Sequence, residues 1–232
     1  MRDSALKDPR YGRPFPSSPD EWVNAPAKID TDDDGRTLQI LGFQVMQDWE
    51  SPLMQRMALS VANNGASVLE IGYGLGISAK YVQAIGPRIH VIIEANGDVA
   101  ASARQDLNYE IDAGRVHVME KLWQDAVLGG ALRGCAPNGF DGIIFDTYPL
   151  SQQELRKNHF AFFPYAKSLL SHRGRFTYFS DEENELSDTH RAALREAFPR
   201  SVITTEMVRV HPVPNCEYWR SDSILHVVVE MQ

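Results

Sequence analysis

Cysteine, long apolar runs and surplus positive charge are all scarce in this chain of 232 residues. Its two cysteines, Cys135 and Cys216, supply neither a disulfide framework nor a zinc-ligand spacing, and they predict free thiols in a reducing compartment. No apolar run approaches the roughly 18 residues of a membrane-spanning helix, and the N-terminal residues lack the apolar segment of a signal peptide. These absences predict a cytoplasmic protein that needs neither a membrane nor a metal.

The charge balance is acidic, with 23 lysines and arginines against 31 aspartates and glutamates, and the net charge is −8. Proteins that bind nucleic acid usually present a basic surface, so this balance argues against a nucleic-acid partner. A hydrophobic fraction of 43% and a charged fraction of 23% are ordinary for a folded chain. The length suits one domain with a small extension, as a monomer or a homodimer.

Residues 1–36 differ from the rest because they hold five of the 13 prolines. Proline fixes φ and lacks an amide donor, so no regular helix or strand is expected before residue 37. The segment is either a disordered tail or an arm that wraps the domain, and the large apolar side chain of Trp22 favours the arm. We therefore divide the chain into an N-terminal arm or lid, 1–36, and a domain, 37–232.

Residues 44–64 have apolar residues at helical spacing, interrupted by Pro52, which predicts two short helices or one kinked helix. From residue 67 onward, apolar strands alternate with helices, which is typical of a mainly parallel sheet. The predicted strands are Ser67–Ile71, Ile89–Glu94, Arg115–Glu120, Phe140–Asp146, Arg175–Phe179, Val202–Val210 and Ser223–Met231. The predicted helices are Ile77–Ile85, Asp98–Ala113, Ser151–Leu170 and Asp188–Phe198. The fold is thus α/β, with an antiparallel last strand in a seven-stranded sheet.

The segment Val68–Gly76 runs from an apolar strand into closely spaced glycines and then into a helix. Glycines at such a turn let a ligand approach the main chain. Glu70 precedes the first glycine, and Glu94 ends the next strand, where a carboxylate can accept hydrogen bonds from ribose hydroxyls. A pyrophosphate-bearing dinucleotide fits poorly beside Glu70, whereas the cationic S-adenosylmethionine fits both acids. A plain strand-to-helix turn is the remaining interpretation.

Three more residues are candidates for contact with ligands. Trp123 follows the third strand, where it packs either against adenine or within the core. Asp146 ends the fourth strand, at the sheet edge where ligands bind, although it could instead cap the next helix. Glu50 precedes the first strand, in a position where a glutamate on its own would be a surface residue.

Five blocks of the sequence strongly resemble the guanidinoacetate N-methyltransferase family. They are Leu38–Met54, Leu69–Gly74, Ile92–Asn96, Leu122–Trp123 and Phe140–Leu150, in the family's order and at near-constant spacing. The sequences Trp-Glu-Ser-Pro at 49–52 and Phe-Asp-Thr-Tyr-Pro-Leu at 145–150 are more specific than the glycine loop. The resemblance covers roughly residues 20–180 and implies a Rossmann-like class I methyltransferase.

The resemblance also implies roles for single residues, with Trp22 and its neighbours as a lid over the cofactor. The implied S-adenosylmethionine site comprises Trp22, Met46, Met54, Glu70, Gly72, Tyr73, Gly74, Leu75, Gly76, Ile77, Ser78, Glu94, Ala95, Asn96, Trp123, Gln124 and Asp146. The implied acceptor site comprises Met46, Glu50, Asp146, Tyr148, Ser180, Asp181 and Glu182. Glu50 and Asp146 would grip the guanidino group of a small molecule.

The chemistry of a guanidine agrees with that pair. A guanidinium is planar, charged at neutral pH and a poor nucleophile, and two carboxylates can hold it by forked hydrogen bonds. The attacking nitrogen becomes acidic, so a carboxylate already bonded to it can accept its proton. We assign this base role to Asp146, because it ends the strand nearest the cofactor, and the holding role to Glu50; the reverse assignment is also open.

The sequence departs from the family where the acceptor's carboxylate tail would bind. The family has a neutral stretch after the fifth strand, whereas this chain has Asp181, Glu182 and Glu183 there. These acids would repel a carboxylate, so the acceptor could be arginine, agmatine, or a guanidino sugar or cyclitol instead. Alternatively, they point to solvent and cap the next helix.

Two other functions are compatible with the sequence. One is methyl transfer to another amine, to a hydroxyl or to arginine in a protein, although a neutral hydroxyl needs no pair of carboxylates. The other is a non-enzymatic binding module that keeps the fold, which an intact glycine loop with both acids makes less attractive.

Overall fold

The computed structural model describes residues 7–8, 13–155 and 157–232. In chain order, its strands are β1 (Lys7–Asp8), β2 (Arg13–Pro14), β3 (Ala27–Asp32), β4 (Gly35–Ile40), β5 (Phe43–Gln47), β6 (Ser67–Ile71), β7 (Ile89–Glu94), β8 (Val116–Glu120), β9 (Phe140–Phe145), β10 (Leu170–Tyr178), β11 (Ser201–Arg209) and β12 (Ser223–Met231). Its helices are α1 (Pro19–Val23), α2 (Ser51–Val61), α3 (Ile77–Ile85), α4 (Gly97–Asp106), α5 (Asn108–Asp112), α6 (Trp123–Leu128), α7 (Ala131–Cys135), α8 (Asn158–Leu169) and α9 (Asp188–Ala197). No helix in these ranges is long and apolar enough to cross a membrane.

The seven-stranded sheet has the order β11-β12-β10-β9-β6-β7-β8. The pairs from β10 to β8 are parallel, whereas β12 runs antiparallel to both of its neighbours. The predicted α/β fold and the antiparallel last strand are therefore confirmed. The parallel strands end at one edge of the sheet, so the residues that follow them meet there.

Apolar side chains cover both faces of the sheet. Leu53 of α2 and Val82 of α3 are buried on one face, and Phe162 of α8 and Leu194 of α9 are buried on the other. The central strands β6 and β7 are buried along their whole length, as expected for parallel strands between two helical layers.

The expectation of no regular structure before residue 37 is wrong. Strands β3, β4 and β5 form an antiparallel meander, and α1 lies ahead of them. The prolines do not prevent this, because Pro26 immediately precedes β3 and Pro19 opens α1. Leu41 and Gly42 both have positive φ, which is typical of a two-residue hairpin turn between β4 and β5. The predicted domain boundary at 36/37 falls within β4.

The helix predicted from residue 44 is also wrong at its start. Val45 and Met46 belong to β5, which ends at a single 3-10 turn over Asp48–Glu50. Helix α2 begins at Ser51, and Pro52 opens it instead of kinking it, because the first turn requires no amide donor.

The predicted helix over 151–170 begins only at Asn158, whose side-chain amide donates to the Thr147 carbonyl at 2.6 Å. The helix predicted over 98–113 is divided at Leu107.

Candidate active site

A cavity of about 580 Å³ lies at the carboxyl ends of the parallel strands. This volume is in the range of small-molecule sites. The sequence-predicted residues that line it are Trp22, Met46, Glu50, Gly72, Tyr73, Gly74, Ser78, Glu94, Ala95, Trp123, Gln124, Asp146, Tyr148 and Asp181. Strand ends, the meander and the β11–β12 connection thus enclose one space.

Gly72 sits where three strand ends are joined. Its amide donates to the Ile93 carbonyl at 2.8 Å, and the Asp146 amide donates to the Ile71 carbonyl at 2.9 Å. Gly72 has a φ of +90°, and a Cβ atom there would lie 1.8 Å from the carbonyl oxygen of Asp146. Only glycine meets both demands, so the loop and Asp146 are fixed to each other.

Met46 packs directly against the glycine loop. Its sulfur lies 3.2 Å from the Leu75 amide nitrogen, and a Cβ atom on Gly74 would lie 2.5 Å from that sulfur. The meander therefore packs directly on the loop, and residues predicted to contact a cofactor from two distant segments are brought together.

Glu94 ends β7 with both carboxylate oxygens turned to backbone amides. Oε2 accepts from the Tyr73 amide at 2.9 Å, and Oε1 accepts from the Asn96 amide at 2.8 Å. Burial raises the pKa of Glu94, and these amide hydrogen bonds oppose the rise. The carboxylate is thus held in one orientation on the cavity wall.

Glu70 lies behind the cavity wall. One of its oxygens accepts a hydrogen bond from the Ser78 hydroxyl, and the other lies 2.8 Å from His90 Nε2. The other ring nitrogen of His90 contacts the Gln83 amide at 2.9 Å. Glu70 thus positions Ser78 at the start of α3, and its direct contact with a cofactor stays a prediction.

Glu50 and Asp146 are two carboxylates that line the same cavity. Glu50 is 3% exposed, and its Oε1 accepts from the Gln47 amide at 2.9 Å and the Tyr218 hydroxyl at 2.5 Å. Burial raises the pKa of Glu50, and the charge of Asp146 raises it further. Burial also raises the pKa of Asp146, with further contributions from Asp181, Glu70 and Glu94. A bound cation would relieve this repulsion.

The arm packs over the cavity. The Trp22 ring stacks on Tyr148 with 4.7 Å between ring centroids and 12° between planes. The Asn96 side-chain amide donates to the carbonyls of Trp22 and Ala25, at 2.9 and 2.8 Å. Trp22 and Ala25 of the arm thus contact the domain, and the role of the arm as a lid over a cofactor stays a prediction; residues 1–6 and 9–12 lie outside the described residues.

Trp123 packs in the core and also lines the cavity, and its contact with adenine stays a prediction. It lines the cavity, and its ring meets Phe145, Phe162 and Tyr165 edge-on at centroid distances of 5.4 to 5.9 Å. The same residue is therefore part of the core and part of the wall.

Several predicted site residues do not line the cavity: Met54, Glu70, Leu75, Gly76, Ile77, Asn96, Ser180 and Glu182. Met54 is fully buried in α2. Ser180 donates to the Leu225 carbonyl at 2.6 Å, and Glu182 accepts from the Ser187 hydroxyl at 2.7 Å. Ser180 and Glu182 hold their own loop instead of facing an acceptor.

Tyr218 and Trp219, which the sequence motifs did not predict, line the cavity from the β11–β12 connection. Gln44 of β5 binds this connection, donating to the Asn215 carbonyl at 3.0 Å and accepting from the Glu217 amide at 2.8 Å. The Trp219 indole N–H is buried and has no hydrogen-bond partner within the described part of the chain. Two adjacent aromatic residues in a turn were the available signal, because a solvent-exposed turn has little use for them.

Comparison with known proteins gives the family. The model of the family described as guanidinoacetate N-methyltransferase matches residues 16–231. The chain belongs to this family. The family recognition made from the motifs is confirmed, and S-adenosylmethionine is the cofactor that the family uses.

Similar curated proteins are named protein arginine N-methyltransferase 2. That of Saccharomyces cerevisiae is 33% identical over 144 residues, which is 59% of this chain and 32% of the relative. That of Yarrowia lipolytica is 33% identical over 156 residues, covering 65% of this chain and 31% of the relative. The chain spans about a third of the length of these relatives.

Solved structures share the fold at low sequence identity. A spermidine synthase from Thermotoga maritima has a TM-score of 0.60 at 18% identity, over 90% of this chain and 70% of that one. SMU.776, a putative methyltransferase complexed with SAH, has a TM-score of 0.60 at 10% identity, over 88% of this chain and 56% of that one. The fold is that of the Rossmann-like methyltransferases.

Proposed function

We propose that this chain transfers a methyl group from S-adenosylmethionine to a nitrogen of a guanidine. The observation that carries the proposal is a pair of carboxylates, the buried Glu50 and the half-buried Asp146, which line one cavity with the glycine loop. Two adjacent carboxylates without a cation are costly to bury, and a guanidinium is a cation that both can bind at once.

The chain's own residues fit the cofactor at the glycine-loop half of the cavity. When bound, S-adenosylmethionine supplies a methyl group on a positively charged sulfur. Glu94 would bind its ribose hydroxyls, and Trp123 and Gln124 would contact its adenine. The acidic lining suits a cationic ligand, because no pyrophosphate could approach these carboxylates cheaply.

Glu50 and Asp146 then act on the acceptor. Forked hydrogen bonds from the two carboxylates orient one guanidine nitrogen, which removes much of the entropic cost of the reaction. The nitrogen that is methylated must release a proton, and Asp146 would accept it. Glu50, held by the Gln47 amide and Tyr218, keeps the guanidine plane fixed.

Methyl transfer from radiolabelled S-adenosylmethionine to a panel of guanidines tests the proposal. We expect Asp146→Asn and Glu50→Gln each to lower kcat/KM by about 100-fold or more, while the exposed control Glu196→Gln keeps the original rate. Binding of S-adenosylhomocysteine, measured by calorimetry, should persist in every variant. Near-normal turnover of both carboxylate variants would contradict the mechanism.

Arginine within a protein is a second candidate acceptor, favoured by the names of the curated relatives. The same two carboxylates would hold its guanidinium. Competition between an arginine-containing peptide and a free guanidine in one reaction separates the candidates, because the true acceptor class should take most of the label.

A further inference from the structure

Strand β11 is one edge of the seven-stranded sheet, and β8 is the other. β11 covers the nine residues Ser201–Arg209 and pairs along its whole length with β12 in an unbroken register. Among the residues that the structure describes, no strand pairs with the outer side of β11. Such a side presents a row of backbone amides and carbonyls that another strand can bind.

The hydrogen bonds around β12 show which residues of β11 direct their backbone groups outward. The Val210 amide donates to the Asp222 carbonyl at 3.0 Å, and these two residues continue the register of β11 with β12. Opposite residues in an antiparallel pair are alternately bonded and not bonded to each other, so every second residue before Val210 is also bonded to β12. The Leu225 amide, opposite Met207, agrees, because it donates to the Glu182 carbonyl at 2.8 Å, on the other side of β12.

The residues between these bonded positions turn their backbone groups to the open edge. They are Ser201, Ile203, Thr205, Met207 and Arg209, and each offers an amide and a carbonyl to a neighbouring strand. Thr205 is the central residue of β11, so the outward row extends equally to either side of it. A row with this symmetry can pair with an identical row that runs in the opposite direction.

Exposed apolar side chains flank this row on both faces of the sheet. Val202 is 42% exposed and Met207 is 47% exposed, and they project from opposite faces because side chains alternate along a strand. On the face of Val202, Glu206 binds Arg56 of α2 at 3.2 Å. Leu59, one turn after Arg56, is 52% exposed. Both faces of the sheet thus expose apolar surface beside the outward backbone groups.

β11 has none of the features by which edge strands avoid pairing. Residues 201–209 contain no proline and no lysine, and the uninterrupted register leaves no bulge. β8, by contrast, is only five residues long, and its last residue, Glu120, binds Arg104 of α4 at 2.9 Å. The two edges of the sheet therefore differ, and β11 is the one that is suited to a partner strand.

We propose that β11 pairs with β11 of a second copy of this chain, antiparallel across a two-fold axis at Thr205. The Thr205 amide of each copy then donates to the Thr205 carbonyl of the other. Ile203 bonds in the same way with the second copy's Met207, and their two apolar side chains pack on each other. The two sheets become one continuous sheet.

Side-chain complementarity selects this register among the possible ones. With the axis at Thr205, all nine residues of β11 are paired, and Val202 packs on the second copy's Val208. An axis one residue later would place the two Glu206 carboxylates directly opposite each other, which is unfavourable. An axis one residue earlier would leave the last two residues of β11 without partners.

The two-fold axis also limits the assembly to a dimer. Once the two β11 strands are paired, the joined sheet ends on both sides in the shorter edge strand β8. A strand pair about 30 Å long is a small interface, so we expect a dissociation constant in the micromolar range. The dimer should therefore dissociate on dilution.

Sedimentation equilibrium of the full chain, between about 1 and 200 µM, tests the pairing, and we expect a Kd of about 10 µM. Hydrogen exchange at the same concentrations locates the contact. The outward amides of Thr205 and Met207 exchange freely in a monomer and are protected by a partner strand. The β11 peptide should therefore exchange more slowly at high concentration, whereas exchange in β8 should not change.

A proline at the axis tests the backbone pairing. Thr205→Pro removes an outward amide without removing a hydrogen bond to β12, because edge strands tolerate proline where the N–H faces away from the ladder. We expect the Kd of the dimer to rise about tenfold or more. Urea denaturation verifies that the variant is folded.

Two substitutions at Thr204 test the register through side chains alone. In the proposed pair, Thr204 lies opposite the second copy's Glu206. Thr204→Glu should therefore raise the Kd about fivefold, and Thr204→Lys should lower it about fivefold. The matched control is Gln105→Glu, which adds the same charge at an exposed position of α4, beside the opposite edge of the sheet. It should leave the Kd unchanged.

Three outcomes would overturn the inference. The first is the mass of a single chain at every concentration. The second is a dimer whose Kd is unchanged in Thr205→Pro and in both Thr204 variants, since such a dimer would use another surface. The third is a weaker dimer in both Thr204 variants, which would contradict an axis at Thr205. Methyl transfer plays no part in these measurements, so their outcome is independent of the proposed function.

Discussion

Tyr218 is the residue whose removal tests the acceptor half of the site without removing a carboxylate. Its hydroxyl donates to Glu50 Oε1, and this hydrogen bond lowers the pKa that burial raises. Tyr218→Phe should therefore destabilise the ionised form of Glu50 and raise its pKa. We expect kcat/KM for the acceptor at pH 7 to fall about tenfold, which is typical of a lost hydrogen bond to a charged group. Steady-state kinetics from pH 6 to 9 would show the rising limb displaced to higher pH.

The control for this variant is Tyr109→Phe, which removes a hydroxyl from a side chain that is 70% exposed. It should change neither the rate nor the pH profile. An unmoved limb in Tyr218→Phe would show that the hydroxyl does not govern the ionisation of Glu50.

Gly72 should be intolerant of even one methyl group. In Gly72→Ala, the new Cβ would lie 1.8 Å from a backbone oxygen, and the backbone must also keep a φ of +90°. We expect the free energy of unfolding to fall by about 3 kcal/mol or more, measured by urea denaturation. Gly65→Ala is the control, since Gly65 has a φ of +81° but open space around it. Its cost should be only about 1 kcal/mol; equal losses would contradict the steric argument.

The arm is an element whose packing depends on one ring. Trp22→Ala removes the stack on Tyr148, and truncation of a buried tryptophan typically costs about 3–5 kcal/mol. Because few other apolar side chains hold α1, we expect local release before global unfolding, seen as faster hydrogen exchange over Pro19–Val23. Trp22→Phe retains a stacking ring and should exchange more slowly than the alanine variant. Equal exchange in both would show that the ring does not hold the arm.

The meander shows why some elements escaped sequence analysis. The register of β4 and β5 shifts between Leu38 and Gln39, so that Val45 has no partner in the ladder. This bulge destroys the alternation of buried and exposed residues by which a strand is recognised, and the remaining spacing imitates a helix. Strands β6, β7 and β12 are rich in apolar and β-branched residues, and their predicted bounds agree with the structure.

The residues of the candidate site also divide into those that the sequence predicts and those that it does not. Gly72, Glu94 and Asp146 were predictable, because each follows a recognisable strand and parallel strands end at one edge. Tyr218 was not, because it enters through a hydrogen bond to Glu50 across 168 residues of sequence. No local pattern encodes a contact of that separation.

The whole molecule should become less stable as pH rises when no ligand is bound. Glu50 and Asp146 have raised pKa values in the folded state, about 8 and about 7, against roughly 4 in an unfolded chain. A carboxyl group whose pKa is higher in the folded state than in the unfolded chain stabilises the folded state at acidic pH. This stabilisation is lost as the pH rises through the folded-state pKa. We expect the double variant Glu50→Gln/Asp146→Asn to lose less stability between pH 5.5 and 8, by urea denaturation. Equal losses would show that these carboxylates are already ionised.

The contact between Glu50 and Tyr218 also determines when the acceptor site can form during synthesis of the chain. The segment from β6 to β8 holds the glycine loop and Glu94, so these parts of the proposed cofactor site are encoded in the middle of the chain. The acceptor half needs Gln44 to bind Glu217, and Glu50 to bind Tyr218, which the ribosome adds much later. A nascent chain stalled before these residues would lack the clamp for a guanidine, so the acceptor site is completed last.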